Sequence, residues 1–126
     1  MVIVDESLTG DRLRTFTIES LDERMSVREI IRARIWQEVQ DHNSAKRAEA
    51  FDGLVRSLPQ ETTLNGEKVF RPVDWEKQYE TALRAFEGNG YFILIGNRQA
   101  ESLDETFLVE AETEVSFVRF TPLVGG

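Results

Sequence analysis

The residues best suited to chemistry close the chain, in Thr121-Pro122-Leu123-Val124-Gly125-Gly126. Glycine has no Cβ, so the pair Gly125-Gly126 can pass extended down a narrow channel. The Gly126 carboxylate can then reach a nucleotide phosphate where any side chain would collide. Pro122 fixes its own φ and biases Thr121 toward extended backbone, which points the segment away from the strand before it. A partner that grips such a tail must also cover Phe120, Pro122, Leu123 and Val124. Taken alone, the glycine pair is also what a plain frayed end looks like.

Other residues offer less. His42 is the single histidine, beside Asp41 and Asn43, and there is no cysteine to complete a metal site, so a solvated loop or cap position is expected for it. The carboxylates Glu101, Asp104, Glu105, Glu110, Glu112 and Glu114 lack the regular oxygen-ligand spacing of a calcium loop. They read as an acidic docking surface or as solubilising charge. Gly88-Asn89-Gly90 precedes an apolar run, whereas phosphate loops come after a strand and open a helix; it reads as a turn. Trp36 and Trp75 fall on expected helices. Trp36, at the edge of an apolar face, is a candidate partner contact, although packing is the commoner role of a tryptophan.

A chain of 126 residues, 40% hydrophobic and 30% charged with three prolines, has the composition of one folded domain. Its net charge of -8 argues against sequence-independent binding to nucleic acid or to an anionic membrane. The absence of cysteine excludes disulfides, thiolate metal sites and a thiol nucleophile of its own. Lysines are few, only Lys46, Lys68 and Lys77, so little amine is available for acylation on the chain itself. The N-terminal residues lack the basic start and apolar run of a signal peptide, and no stretch approaches the ~20 apolar residues of a membrane span. A cytoplasmic protein is expected.

Several elements must position the tail. Val2 to Val4 and the alternating Thr15-Phe16-Thr17-Ile18-Glu19 predict an antiparallel hairpin around Thr9-Gly10-Asp11. Ser26-Val27-Arg28-Glu29 has the form of a capping box, with Met25 and Ile30 placed for a hydrophobic staple. Val27, Ile30, Ile31, Ile35 and Val39 line one face of a helix to about Gln40, the opposite face being charged and solvated. A second amphipathic stretch, on Ala45, Ala48, Phe51, Leu54, Val55 and Leu58, predicts a helix that Gly53 weakens and Pro59 ends. Asn65-Gly66 suits a tight turn between strand-like pieces around Leu64 and Val69.

Asp74 caps a third helix on Trp75, Tyr79, Ala82, Leu83 and Phe86, stopped by Gly88 and Gly90. Tyr91-Phe92-Ile93-Leu94-Ile95 reads as a central buried strand, with a Gly96-Asn97 turn after it. Phe107 to Val109 forms a short segment and Glu114 to Phe120 a last strand, with Val115 and Phe117 on one face.

The last third of the chain resembles the ubiquitin-like sulfur carriers, the molybdopterin synthase small subunit and the thiazole sulfur carrier. The likeness rests on Leu103-Asp104, an acidic turn, the Val-x-Phe strand at Val115-Ser116-Phe117, Pro122 and the terminal Gly125-Gly126. Ubiquitin and the bacterial ubiquitin-like modifiers share the Gly-Gly end. The resemblance covers residues 91–126 well and 1–40 by pattern, while 41–90 have no counterpart in the compact carriers. Ala111-Glu112-Thr113-Glu114 stands where those carriers usually have Asp-Gly-Asp-Glu, and one proline replaces a pair.

The resemblance implies an α+β, β-grasp (ubiquitin-like) fold, a mixed sheet packed on one main helix, as a single domain over 1–120 with a helical insertion over about 41–90 and a flexible tail over 121–126. It implies a substrate and not an enzyme, with no cofactor of its own. An adenylating enzyme uses ATP to activate Gly126, and the acyl adenylate leads either to a thiocarboxylate or, through a thioester, to an amide bond with a target protein. The length and insertion favour a protein modifier of a bacterial ubiquitination-like pathway, with a conjugating enzyme, a deconjugating protease and target proteins as partners; the tail itself is closer to the sulfur carriers. A non-catalytic β-grasp interaction module is the remaining class.

Overall fold

The computed structural model describes residues 1–19, 23–45, 53–55, 62–64, 67–69 and 72–120, with 62–64 and 67–69 described by backbone alone. The chain is α+β. Strand β1 (Val2–Ser7) turns back into β2 (Arg12–Thr17), antiparallel, with Val4 opposite Thr15. Gly10 makes the turn at φ 87°, a conformation that needs the missing Cβ. A short β3 (Arg24–Ser26) leads into helix α1 (Val27–Ala45). The hairpin β4 (Thr62–Leu64) and β5 (Glu67–Val69) comes next, then α2 (Trp75–Glu87). β6 (Tyr91–Ile95), β7 (Arg98–Gln99), β8 (Thr106–Leu108) and β9 (Glu114–Arg119) complete it.

Five strands form the main sheet in the order β2-β1-β9-β6-β7. β9 runs parallel to β1, with Ile3 opposite Val115, and antiparallel to β6, with Phe117 opposite Ile93. The first and last strands thus lie side by side in the middle of a mixed sheet, an order compatible with the expected β-grasp. Side chains alternate across each strand, so one face presents Ile3, Asp5, Val115, Phe117, Tyr91 and Ile93 to α1. α1 answers with Val27, Ile30, Ile31, Ile35 and Val39, all fully buried.

α1 begins as its residues require. Ser26 Oγ accepts from the Glu29 amide at 3.1 Å, and Met25 and Ile30 are both buried in the core as a staple. Glu29 does not complete the box through the Ser26 amide; its carboxylate takes the Ser26 hydroxyl, because Ser26 belongs to β3 and pairs with Thr106 of β8. The helix passes the expected end at Gln40 and reaches Ala45. Gln37 bonds Asp41 one turn on, and Asn43 grips both backbone groups of Val73, at 2.8 and 3.0 Å.

α2 starts and stops as expected, with Asp74 accepting from the Glu76 and Lys77 amides and Gly88 at the C-cap. The helix expected through Gly53 is absent at residues 53–55, where the chain bends; the remainder of that stretch and the Asn65-Gly66 turn lie outside the described residues. Residues 41–90, expected as a helical insertion, also contain the β4–β5 hairpin, so the stretch is not purely helical. β6 is not buried on both faces: Tyr91 and Ile93 enter the core while Phe92 and Leu94 are half-buried on the opposite face. The short segment at Phe107 joins β3 rather than the main sheet, and the main-sheet neighbour of β6 on its outer side is β7.

Candidate functional site

β9 ends at the root of the tail. Its last residue, Arg119, lies opposite Ser7 on one side and Tyr91 on the other, so the chain reaches Phe120 from a strand paired along both edges. Phe120 is 37% exposed and meets Phe92 edge-on, ring centroids 4.8 Å apart. Of the residues expected to meet a partner, Phe120 is therefore placed at the surface beside a second aromatic ring. Pro122, Leu123, Val124, Gly125 and Gly126 lie outside the described residues.

Beneath this root sits a group of buried charges that sequence reading missed, with Arg34 and Glu38 on the apolar face of α1. Arg34 is wholly buried, as are Asp5 on β1 and, nearly so, Glu38 one turn further along α1. The Arg34 guanidinium bonds Asp5 through Nε at 3.1 Å and through Nη2, and bonds Glu38 through Nη1. It also lies 5.1 Å from the ring centre of Phe117 and 5.8 Å from that of Phe16. Burial is the largest influence on it and disfavours its charge; the Glu38 and Asp5 carboxylates reverse this, holding its pKa above the ordinary arginine value. The only signal available in advance was position: Arg34 and Glu38 fall between Ile30, Ile31, Ile35 and Val39 on a helical wheel.

The charges also reach residues 53–55. The Leu54 amide donates to both oxygens of Glu38, at 3.1 and 3.2 Å, and the Gly53 carbonyl accepts from Arg119 Nη2 at 2.8 Å. Leu54 and Val55 are buried in the main core. Tyr91 stacks near Phe117 and donates its hydroxyl to the Ala82 carbonyl at 2.7 Å, which joins β6 to α2. Its phenol is pushed well above the usual range, first by burial and then by Glu38, with Arg34 opposing.

A second surface lies where α1 meets α2. Trp36, 45% exposed, stands edge-on to Trp75 with centroids 5.2 Å apart; Trp75 stacks on Tyr79, and Arg32 covers its ring at 5.2 Å. Trp36 is thus both packed and exposed.

Neither His42 nor the acidic residues converge on a site. His42 lies half-buried in the last turn of α1, a helical position and not the loop or cap expected. Asp104, Glu105 and Glu114 turn individually to Arg28, Arg98 and Arg12. No group of three metal-ligating side chains forms among the described residues. Gly88-Asn89-Gly90 is a turn, with Asn89 at φ 58°. A cleft of about 460 Å³ between α2 and β7 is lined by Arg28, Asn89, Gln99, Ser102 and Asp104 together with Phe86, Phe92, Ala100 and Leu103, a mixed polar and apolar lining that holds no histidine. No helix of the described residues is long and apolar enough to cross a membrane.

No family model, curated protein or solved structure matches the chain.

Proposed function

We propose that the chain is a ubiquitin-like β-grasp protein that acts as a modifier in a bacterial ubiquitination-like pathway, its Gly126 carboxylate activated by an adenylating enzyme and joined to target proteins. One observation carries the reading: the last strand, β9, is central in the sheet, parallel to β1 and antiparallel to β6, so the segment beyond Phe120 is rooted in a strand paired on both sides. A tail that is pulled into another protein's active site needs such an anchor.

The chemistry asks little of this chain and much of its partner. A Gly126 carboxylate oxygen attacks the α-phosphorus of ATP, pyrophosphate leaves, and an acyl adenylate forms. A thiol then attacks the carbonyl and releases AMP. This chain has no cysteine, so the thiol belongs to the partner. A target amine finally displaces the thiol and leaves an amide. If sulfide equivalents replace the thiol, the product is a thiocarboxylate, which is the sulfur-carrier alternative that the tail's resemblance favours. The second alternative, a binding module, is favoured by the exposed Trp36 with Trp75, Tyr79 and Arg32, residue types enriched where proteins bind one another.

Intact-mass spectrometry tests these readings. The chain is incubated with ATP and the adenylating enzyme encoded nearest to it, with and without Gly126. Covalent attachment or a thiocarboxylate mass that requires Gly126 supports a carrier and identifies the branch. An unchanged mass beside a competent enzyme refutes both and leaves the module.

A further inference from the structure

β2 is an outer strand of the main sheet, and no described strand pairs with its far edge. The Ile18 amide donates to the Met1 carbonyl at 3.0 Å, in the register that sets Ile3 opposite Phe16 and Asp5 opposite Arg14. Opposed residues of an antiparallel ladder are alternately bonded and unbonded, so Phe16 and Arg14 direct their N–H and C=O groups to β1 while Thr15 and Thr17 turn theirs outward. The Val2 amide, opposite Thr17, agrees with this phase: it donates away from β2, to the Thr113 carbonyl. Thr15 and Thr17 are exposed, as are Arg12, Leu13 and Arg14, and Phe16 is half-buried. β1 next pairs Glu6 with Arg12, which leaves Leu13 as the extra residue of a bulge and ends the regular edge there.

We propose that this edge is the docking site for an extended acidic segment of a partner protein, which adds to the sheet as a further strand beside β2. Main-chain bonds to Thr15 and Thr17 hold the segment, and the side chains on the α1 side select it. There Arg14 and Phe16 stand two residues apart on the face shared by Asp5 and Ile3. The matching segment therefore carries an acidic side chain opposite Arg14 and an apolar one opposite Phe16. β2 holds two arginines and no acidic residue in a chain of net charge -8, so it is a locally basic strip. Both arginines already interact within the chain, Arg12 with Glu114 at 2.8 Å. That pair is exposed on both sides, and exposed pairs are exchanged at little cost. Asp5, the acid opposite Arg14, is buried against Arg34. A second copy is a poorer occupant, because it brings two more arginines to the same seam between bodies that each carry -8. The site stands on the sheet alone and does not depend on the chemistry proposed for the tail.

Site-resolved amide exchange on the full chain tests the docking. The probe is a capped peptide of threonine, valine, threonine, glutamate, threonine, valine and threonine, and its control has lysine in place of glutamate. In the chain alone the Thr15 and Thr17 amides exchange fast and those of Arg14 and Phe16 slowly. The glutamate peptide at ten times its Kd slows Thr15 and Thr17 roughly tenfold, and the lysine peptide at the same concentration leaves them fast. R14E reverses that preference. T15P removes an outward N–H without touching the bonds to β1 and abolishes the protection of Thr17 by the glutamate peptide. The peptide pair on the unaltered chain and T15P stay decisive if R14E fails to fold beside Asp5. Thr15 and Thr17 left fast by the glutamate peptide overturn the site, and equal protection by both peptides overturns the acidic partner. Protection that grows with chain concentration in the absence of peptide makes the occupant a second copy and overturns the proposal.

Discussion

Replacing Arg34 with methionine isolates the buried charges. Arg34 has no exposed surface, Asp5 is 1% and Glu38 5% exposed, so the substitution leaves two carboxylates in the interior without their cation. Breaking a buried pair from one side costs about 3–5 kcal/mol, most of it the penalty for the charge left behind. Methionine retains an unbranched stem against Phe16 and Phe117, which limits the loss from packing. A domain has about 5–15 kcal/mol of stability in all, so this one change removes more than half of it at the lower end of that range. With ~4 °C per kcal/mol for a chain of this size, Tm falls by roughly 10–20 °C.

Urea unfolding near neutral pH measures the effect: the midpoint moves and the slope m stays the same. The triple variant R34M/D5N/E38Q keeps acceptors for the Leu54 amide and removes all three charges. It recovers more than half of the loss, because the cost lies in the unpaired carboxylates and not in the shape of the site. R34M within about 1 kcal/mol of the unaltered chain refutes the reasoning. So does a triple variant no more stable than R34M.

Two further substitutions test how α2 is held. The Tyr91 phenol is raised above its ordinary value of about 10, so its contribution is complete below that pH and is lost as pH rises past it, when the unfolded chain ionises first. Y91F lowers stability at neutral pH by about 1 kcal/mol, through the lost bond to the Ala82 carbonyl, and flattens the alkaline limb of a urea-midpoint profile. N43A strips partners from both backbone groups of Val73 and costs roughly 1–3 kcal/mol by the same measurement. N43D is no better than N43A, since a carboxylate oxygen then faces the Val73 carbonyl.

The parts of this fold that could be read from sequence are those set by neighbours in the chain. Ser26 and Glu29 meet within one turn, Asp74 caps the helix that begins beside it, and Gly10 and Gly96 adopt the positive φ that their turns require. β9 was legible from the alternation of Val115 and Phe117 against Ser116 and Val118. What escaped depends on partners far away in sequence. The pairing of β8 with β3, the bend at Gly53 and the extension of α1 to Ala45 are each fixed by contacts that no local pattern contains. Arg34 and Glu38 escaped for a related reason. Charged residues are expected outside unless paired, and the pairing partner, Asp5, stands 29 residues earlier, on β1.

The charge count of that buried group bears on how residues 53–55 join the core. Asp5 and Glu38 bring two negative charges to the single positive charge of Arg34, so the set is one charge short of balance. Two rings, Phe16 and Phe117, lie against the guanidinium and stabilise the cation but offer Glu38 nothing. The Leu54 amide is the donor that meets the remaining demand, and it meets both Glu38 oxygens at once. An amide is a weaker counterpart than a second cation, and a water molecule in the same place would be a comparable donor. The amide, however, arrives with Leu54 and Val55, whose burial adds apolar contact that water cannot supply. Electrostatics and packing therefore favour the same position for residues 53–55, which are joined to the core at the charge that the core itself leaves uncompensated.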